Sequence, residues 1–446
     1  MPSSTINVFG GTVLTADPDR PLVERGQVLI EGSRIREVSD AADPLPADER
    51  IDATGMIVSP GFVNAHTHLC MIYGRSLGTD RSLLQWLAEY QVPLMCALEP
   101  DDYRLSLTLG AVENLLAGNT TVCEVFFSPH YDREVDSVAL SALDASGIRS
   151  VFVRCANDVS FFEGFVESRS QIRERSERLL TEWAGRDRTT VGVGPLIPWG
   201  SSPDAFRDAV ELSRQHDAPI HLHTAETPEY NDLVRSQTGM DNVDMLASVG
   251  ALGERVMLNH CVYLSEKNIA EIAETGTHVI HDPTSNMVLA SGVAPVPALR
   301  SAGVNIGLAC DGPACNNAQD MIEAMKAAIM LHRAVSTEPG VLTAADAFAM
   351  ATRNGAAAVG LGDELGQIRP GFLADIVLID AARAHMTPLH DPLAALVYSA
   401  HGSDVHTVIV DGRVVVRDRQ VLTVEVPRLL SDVQQRASQV RAAAGV

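Results

Sequence analysis

MIVSPGFVNAHTH, residues 56–68, is the stretch on which the reading of the fold turns. It is a largely apolar run that ends in two histidines, His66 and His68, one residue apart. Side chains at i and i+2 of a strand point the same way, so the end of such a strand can offer two imidazoles to one ion. Working outward, short apolar runs recur seven times: TTVCEVFF (120–127), IRSVFVRC (148–155), TVGVGP (190–195), APIHLHTAE (218–226), RVMLNHC (255–261), THVIHD (277–282) and VNIGLACD (304–311). Continuous apolar runs read as strands buried on both faces, and the longer helical stretches between them imply parallel crossovers. Eight such units predict an α/β fold, a (β/α)8 TIM-like barrel whose chemistry lies at the C-terminal ends of its strands. The reactive side chains obey that rule, because His66, His68, His223, His260 and Asp311 stand where the runs stop.

The flanks are different. Short strands and turns fill the first sixty residues, with a hairpin expected at Glu31-Gly32-Ser33, and a matching β-rich stretch returns late, with another at Asp411-Gly412. The expected organisation is a composite β-sandwich domain from residues 1–60 and 365–425, a hydrolase barrel from 61–364, and a C-terminal amphipathic helix over 426–446. No internal repeat or low-complexity tract interrupts this plan.

Composition narrows the function by exclusion. The formal charge is −23 and the only lysines are Lys267 and Lys326, which argues against a nucleic-acid partner and for a small-molecule substrate. The start, MPSSTINVFGG, lacks the basic and apolar segments of a signal peptide, and no apolar run is long enough to span a bilayer, so no membrane association and a cytoplasmic location are expected. Seven scattered cysteines form no CxxC pair and no disulfide framework; Cys261, Cys310 and Cys315 stand beside candidate site residues. The GxSxG elbow, HExxH, the P-loop and the GxGxxG fingerprint are all missing.

A second HxH pair, His221 and His223, ends another strand, and chance alone gives roughly 0.4 such pairs in a chain of this histidine content. Three imidazoles and a carboxylate, with a position left for water, suit Zn, and Fe accepts the same ligands. Asp311 is the natural carboxylate. His260 could be a further ligand or the base that orients an attacking water, and Glu226, three residues past His223, could carry a proton to a leaving nitrogen. Spacing alone leaves His221 and His223 both open as the ligand. No lysine lies between His68 and His223 to bridge two ions as a carbamate, so a single divalent metal ion is expected.

Together PGFVNAHTH, His223 with Glu226, NHCVYL, HDPTSN, SGVAPVP and DGPACNN resemble the branch of the amidohydrolase superfamily that contains methylthioadenosine/S-adenosylhomocysteine deaminases and s-triazine hydrolases. The resemblance spans essentially the whole chain. It implies His66, His68, His223 and Asp311 as metal ligands, His260 and Glu226 in water activation and proton transfer, and His221 as a buried strand residue. It also implies a homo-oligomer. At three positions this sequence departs from the adenosine-handling pattern: Met95 and Leu196 occupy the places of a ribose-binding Glu and a purine-reaching His, and Cys315 that of a Ser.

Lost polar partners cost a hydroxyl-bearing substrate about 1–3 kcal/mol each, so adenosine derivatives are less expected than a triazine, pterin, oxidised purine or pyrimidine. Segment TDRSLLQWLAEYQVPLMC, with Trp86, Tyr90 and Met95, is expected to wall or cover the mouth, and Trp86, Met95, Leu196 and Cys315 to line the substrate pocket. The expected activity is hydrolysis of a C–N bond by metal-activated water, releasing an amine from a nitrogen heterocycle. The alternatives are an amide or peptide-bond hydrolase acting on a modified peptide, a dechlorinating triazine hydrolase, and a barrel that has lost catalysis.

Overall fold

The structure, a computed structural model, describes residues 4–40, 43–159, 162 and 164–446; Met1–Ser3, part of the stretch read above for a signal peptide, lie outside the described residues. Five strands open the chain: β1 (Thr5–Leu14), β2 (Leu22–Glu31), β3 (Arg34–Ser39), β4 (Glu49–Asp52) and β5 (Met56–Pro60). Eight then alternate with helices: β6 (Phe62–Thr67), β7 (Asn119–Phe126), β8 (Arg149–Ala156), β9 (Thr189–Pro195), β10 (Ile220–Thr224), β11 (Val256–His260), β12 (His278–His281) and β13 (Ile306–Leu308). Four follow: β14 (Ile376–Asp380), β15 (Val405–Val410), β16 (Arg413–Arg417) and β17 (Gln420–Val421).

Strands β6 to β13 pair in sequence order, all parallel, as a barrel sheet. Its ends meet where Asp311 N donates to His66 O at 3.1 Å. A buried amide network closes the same seam: Asn64 Nδ2 donates to Asn114 and to Gln319, and Gln319 Nε2 donates to Asp311 O at 2.6 Å. These bonds satisfy polar groups that would otherwise be costly in a core. They also tie the first and last strands together directly beneath the candidate ligands.

Both chain ends build one mixed sheet of nine strands, in the order β17-β16-β15-β14-β5-β1-β2-β3 with β4 beside β1, around a second apolar core. The opening stretch 56–68 therefore does not form one strand. It splits at Gly61, with β5 in the end sheet and β6 in the barrel, because a Cβ at Gly61 would lie 2.1 Å from Thr120 Oγ1 and the backbone must pass that close. The hairpin turns use Gly32 and Gly412 at φ +61° and +71°.

A buried ion cluster joins the two sheets. Arg149 at the start of β8 bonds Asp375 through two nitrogens at 3.0 Å and Asp411 at 3.2 Å. All three side chains are buried. Arg149→Met is expected to strand two buried carboxylates and to lower the unfolding free energy by about 3–5 kcal/mol in urea titration. A loss under about 1 kcal/mol, the size expected of a surface pair, would mean the cluster does not join the sheets.

The C-terminal helix Val426–Ala444 buries Leu429, Val433 and Val440 against the body, and its Arg436 bonds Asp102 of helix Pro100–Leu116 through two nitrogens at 2.7 Å. Among the described residues, no helix is long and apolar enough to cross a membrane.

Candidate metal centre and active-site cleft

The reactive side chains converge where the barrel strands end. His66 is the penultimate residue of β6 and His68 follows the strand; His223 is near the end of β10, His260 ends β11, and Asp311 follows β13. Two of these residues, His260 and Asp311, take left-handed backbone conformations at φ +66° and +61°, as does Ala225 just before Glu226. Such conformations in non-glycine residues cost energy and gather at functional sites.

Each candidate imidazole is oriented by a partner on its outer nitrogen. His68 Nδ1 meets Val125 O at 2.6 Å and His223 Nδ1 meets Leu196 O at 2.9 Å, so a carbonyl fixes the proton on Nδ1 and leaves Nε2 with a lone pair. Both Nε2 atoms then face each other at 3.1 Å. His66 Nε2, fully buried and without a hydrogen-bond partner, lies 3.5 Å from Asp311 Oδ1, and His68 Nε2 lies 3.7 Å from the same oxygen. Lone pairs crowded in this way around an orphaned buried nitrogen are what a divalent cation relieves.

Charge agrees with geometry. Burial holds His66, His68, His221 and His223 below the ordinary imidazole range, so they are neutral donors of lone pairs. Burial opposes ionisation of Asp311, but its polar surroundings, the raised His260 among them, outweigh it and hold the carboxyl well below its usual range. Burial likewise opposes a charge on His260, yet the carboxylates of Glu226, Asp282 and Asp311 raise its pKa. Glu226 is itself pushed up by burial. The four-residue set His66, His68, His223 and Asp311 therefore fits a metal such as Zn, with His66 common to both tight groups of potential ligand atoms that the fold brings together.

His221 is a buried strand residue, but it also touches the site: its Nε2 lies 3.1 Å from His66 Nδ1. This is the outer contact that His68 and His223 obtain from backbone carbonyls. His221→Leu is expected to weaken metal binding about 10–100-fold in a competitive chelator titration, as loss of such partners does; unchanged affinity would show that His66 needs no support.

A cleft with a cavity volume of about 60 Å³ opens on the cluster. His68, His223, Glu226, His260 and Asp311 lie at one end, and Met71, Leu83, Trp86, Leu87, Phe127, Leu196, Ile197, Trp199 and Leu289 supply apolar walls. Of the residues expected to line it, Trp86, Leu196 and Cys315 do, whereas Met95 does not. Met95 lies in the helical turn Val92–Cys96 and is buried in the core, and Leu83 and Leu87 take the wall position on the preceding turns. Cys261 and Cys310 are buried outside the lining.

Several contributors were not visible in the sequence. Tyr230 donates its hydroxyl to His223 O at 2.6 Å, and Glu124 accepts from the backbone of Leu69, next to His68, at 2.7 Å, with its carboxyl pushed up to about 8 by burial. Their partners are backbone atoms, 7 and 55 residues away in the chain, a relation with no sequence signature.

Comparison with known proteins agrees with this architecture. The profile of the amidohydrolase family matches residues 57–415. The chain is 38% identical over 427 residues to the 5'-deoxyadenosine deaminase of Methanothermobacter thermautotrophicus, covering 95% of this chain and 96% of that one. It is 36% identical over 431 residues to the 5-methylthioadenosine/S-adenosylhomocysteine deaminase of Syntrophomonas wolfei, covering 96% and 97%. Its fold superposes on that of an adenosine deaminase from Xanthomonas campestris with bound zinc at a TM-score of 0.93 and 28% identity, over 98% of both chains. It shares the fold of atrazine chlorohydrolase from Arthrobacter aurescens at a TM-score of 0.92 and 24% identity, over 97% and 100%. The expectation drawn from Met95 and Leu196, that adenosine derivatives are disfavoured, is thus opposed by the names of the related deaminases.

Proposed function

The chain belongs to the amidohydrolase family and is a hydrolase of C–N bonds, and from that premise we propose that it is a mononuclear metal-dependent aminohydrolase that deaminates an aminated nitrogen heterocycle of adenine type. The observation that carries the reading is the convergence of Glu226, His260, Asp311, His68 and His223 on one largely apolar cleft, with the buried His66 within 3.5 Å of Asp311. The apolar and aromatic lining, with Trp86, Phe127 and Trp199, suits the faces of an aromatic heterocycle.

His66, His68, His223 and Asp311 would hold the metal. When bound, a divalent cation supplies positive charge that acidifies a water molecule and polarises the electrophile. Asp311 and His260 would accept and steer the proton of an attacking water as it adds to the amine-bearing carbon. Glu226, with Oε2 3.5 Å from His260 Nε2, protonates the ring or the leaving nitrogen. Its raised pKa makes the buried carboxyl a competent donor. The C–N bond then breaks, and ammonia leaves.

Two substrate groups follow. Adenosine derivatives such as 5'-deoxyadenosine and methylthioadenosine come first, on the names of the relatives. A heterocycle without ribose is favoured by a separate observation: the described residues of the cleft wall offer ribose hydroxyls no carboxylate apart from Glu226 and Asp311. Ammonia release from the zinc-loaded protein tests both. Turnover of 5'-deoxyadenosine or methylthioadenosine supports the first; turnover only of adenine, pterins, triazines or oxidised purines supports the second. Silence across the panel with metal bound would reject the heterocycle reading in favour of amide hydrolysis.

A further inference from the structure

One short segment touches every proton-handling group of the site. Residues Asp282–Ser291 follow β12 and include the helical turn Pro283–Val288. Four of the polar side chains, those of Asp282, Ser285, Asn286 and Ser291, are at most 2% exposed. Ser285 donates its hydroxyl to Asp311 Oδ2 at 2.6 Å. Asn286 Oδ1 lies 3.0 Å from His260 Nδ1. Ser291 donates its hydroxyl to Glu226 Oε1 at 3.0 Å.

In each pair the bonded atom is the one turned away from the reacting side. Asp311 keeps Oδ1 toward His66 and His68, while His260 Nε2 and Glu226 Oε2 face each other. An acceptor opposite His260 Nδ1 places the ring proton there, and the Asp282 carboxyl lies 3.8 Å from the same nitrogen, too far for a hydrogen bond. Nε2 is then the basic nitrogen of the neutral ring. Serine hydroxyls in a helical segment usually return to a nearby backbone carbonyl; Ser285 instead bonds Asp311 beyond the neighbouring strand, and Ser291, past the helical turn, bonds Glu226, contacts 26 and 65 residues apart in the chain.

We infer that Ser285, Asn286 and Ser291 are positioning residues, one each for Asp311, His260 and Glu226, so that a single segment sets the geometry in which protons move. The inference rests on the proposed roles of those three groups. Leu289 of the same segment lines the cleft, so substrate and proton carriers share one support.

The test uses the full-length protein loaded with cobalt(II), with 5'-deoxyadenosine as the turnover probe. Ser285→Ala should retain one cobalt per chain and shift its visible ligand-field absorption, because Asp311 loses the bond on its outer oxygen. Ser291→Ala should leave that spectrum unchanged and KM within about 3-fold, and lower kcat about 10–100-fold, with Ser291→Thr recovering most of the loss. A wild-type spectrum for Ser285→Ala, wild-type kcat for Ser291→Ala, or equal impairment of the alanine and threonine variants would overturn the inference. A wild-type enzyme inactive on 5'-deoxyadenosine would count against the substrate reading alone, and the cobalt spectra would still decide whether Ser285 positions Asp311.

Discussion

Replacing His68 by alanine is expected to leave the purified protein without bound metal and without turnover. The argument is one of geometry. His68 Nε2 points at His223 Nε2 from 3.1 Å and is held there by the bond from its Nδ1 to Val125 O. Removing it leaves two imidazoles and one carboxylate for an ion that takes three protein ligands in its barest catalytic sites and has four available here. The loss should exceed the roughly 10–100-fold that follows removal of an outer partner. Metal content by plasma mass spectrometry, with ammonia release on the same preparation, measures it, and a thermal melt confirms that the barrel persists. Full zinc occupancy in the His68→Ala protein would remove His68 from the ligand set.

Glu226→Gln is expected to separate metal binding from chemistry. Glutamine has the same shape, and its amide oxygen can still accept from Ser291, but it cannot take up or release a proton in the physiological range. Metal content should equal that of the wild type while kcat falls by about 10²–10⁴, the usual worth of a positioned general acid or base. That range corresponds to roughly 3–5 kcal/mol of barrier. Because Glu226 lies off the metal cluster and faces His260 at 3.5 Å, a loss of metal in this variant would mean that the carboxylate supports coordination instead. Unimpaired turnover would exclude it from proton transfer.

Legibility in the sequence followed the range of the interaction concerned. The eight parallel strands were readable because a strand buried on both faces must be a continuous apolar run, and the barrel rule then predicted that reactive side chains would stand at the ends of those runs. The site geometry brings His68, His223, His260, Glu226 and Asp311 to the cleft, with the buried His66 among the clustered potential ligands. Met95 was misplaced for a local reason: Leu83–Cys96 is a run of helical turns in which a shift of a few residues changes which side faces the cleft. Trp86 and Leu87 take the wall, and Met95 faces the core.

By itself the sequence determined that both chain ends contribute β-structure, that an eight-stranded parallel barrel lies between them, and which residue types end its strands, since apolar periodicity and turn chemistry are properties of neighbouring residues. Only the tertiary structure decided which atoms meet. His221 supports His66 across two strands, Gly61 divides one apolar run between two sheets because Thr120 comes so near, and the segment Asp282–Ser291 reaches three proton carriers on three different strand ends. Each of those contacts joins residues from distant parts of the chain. Hydrogen bonds of that kind are set by closure of the barrel, which fixes distances and orientations that no local pattern encodes.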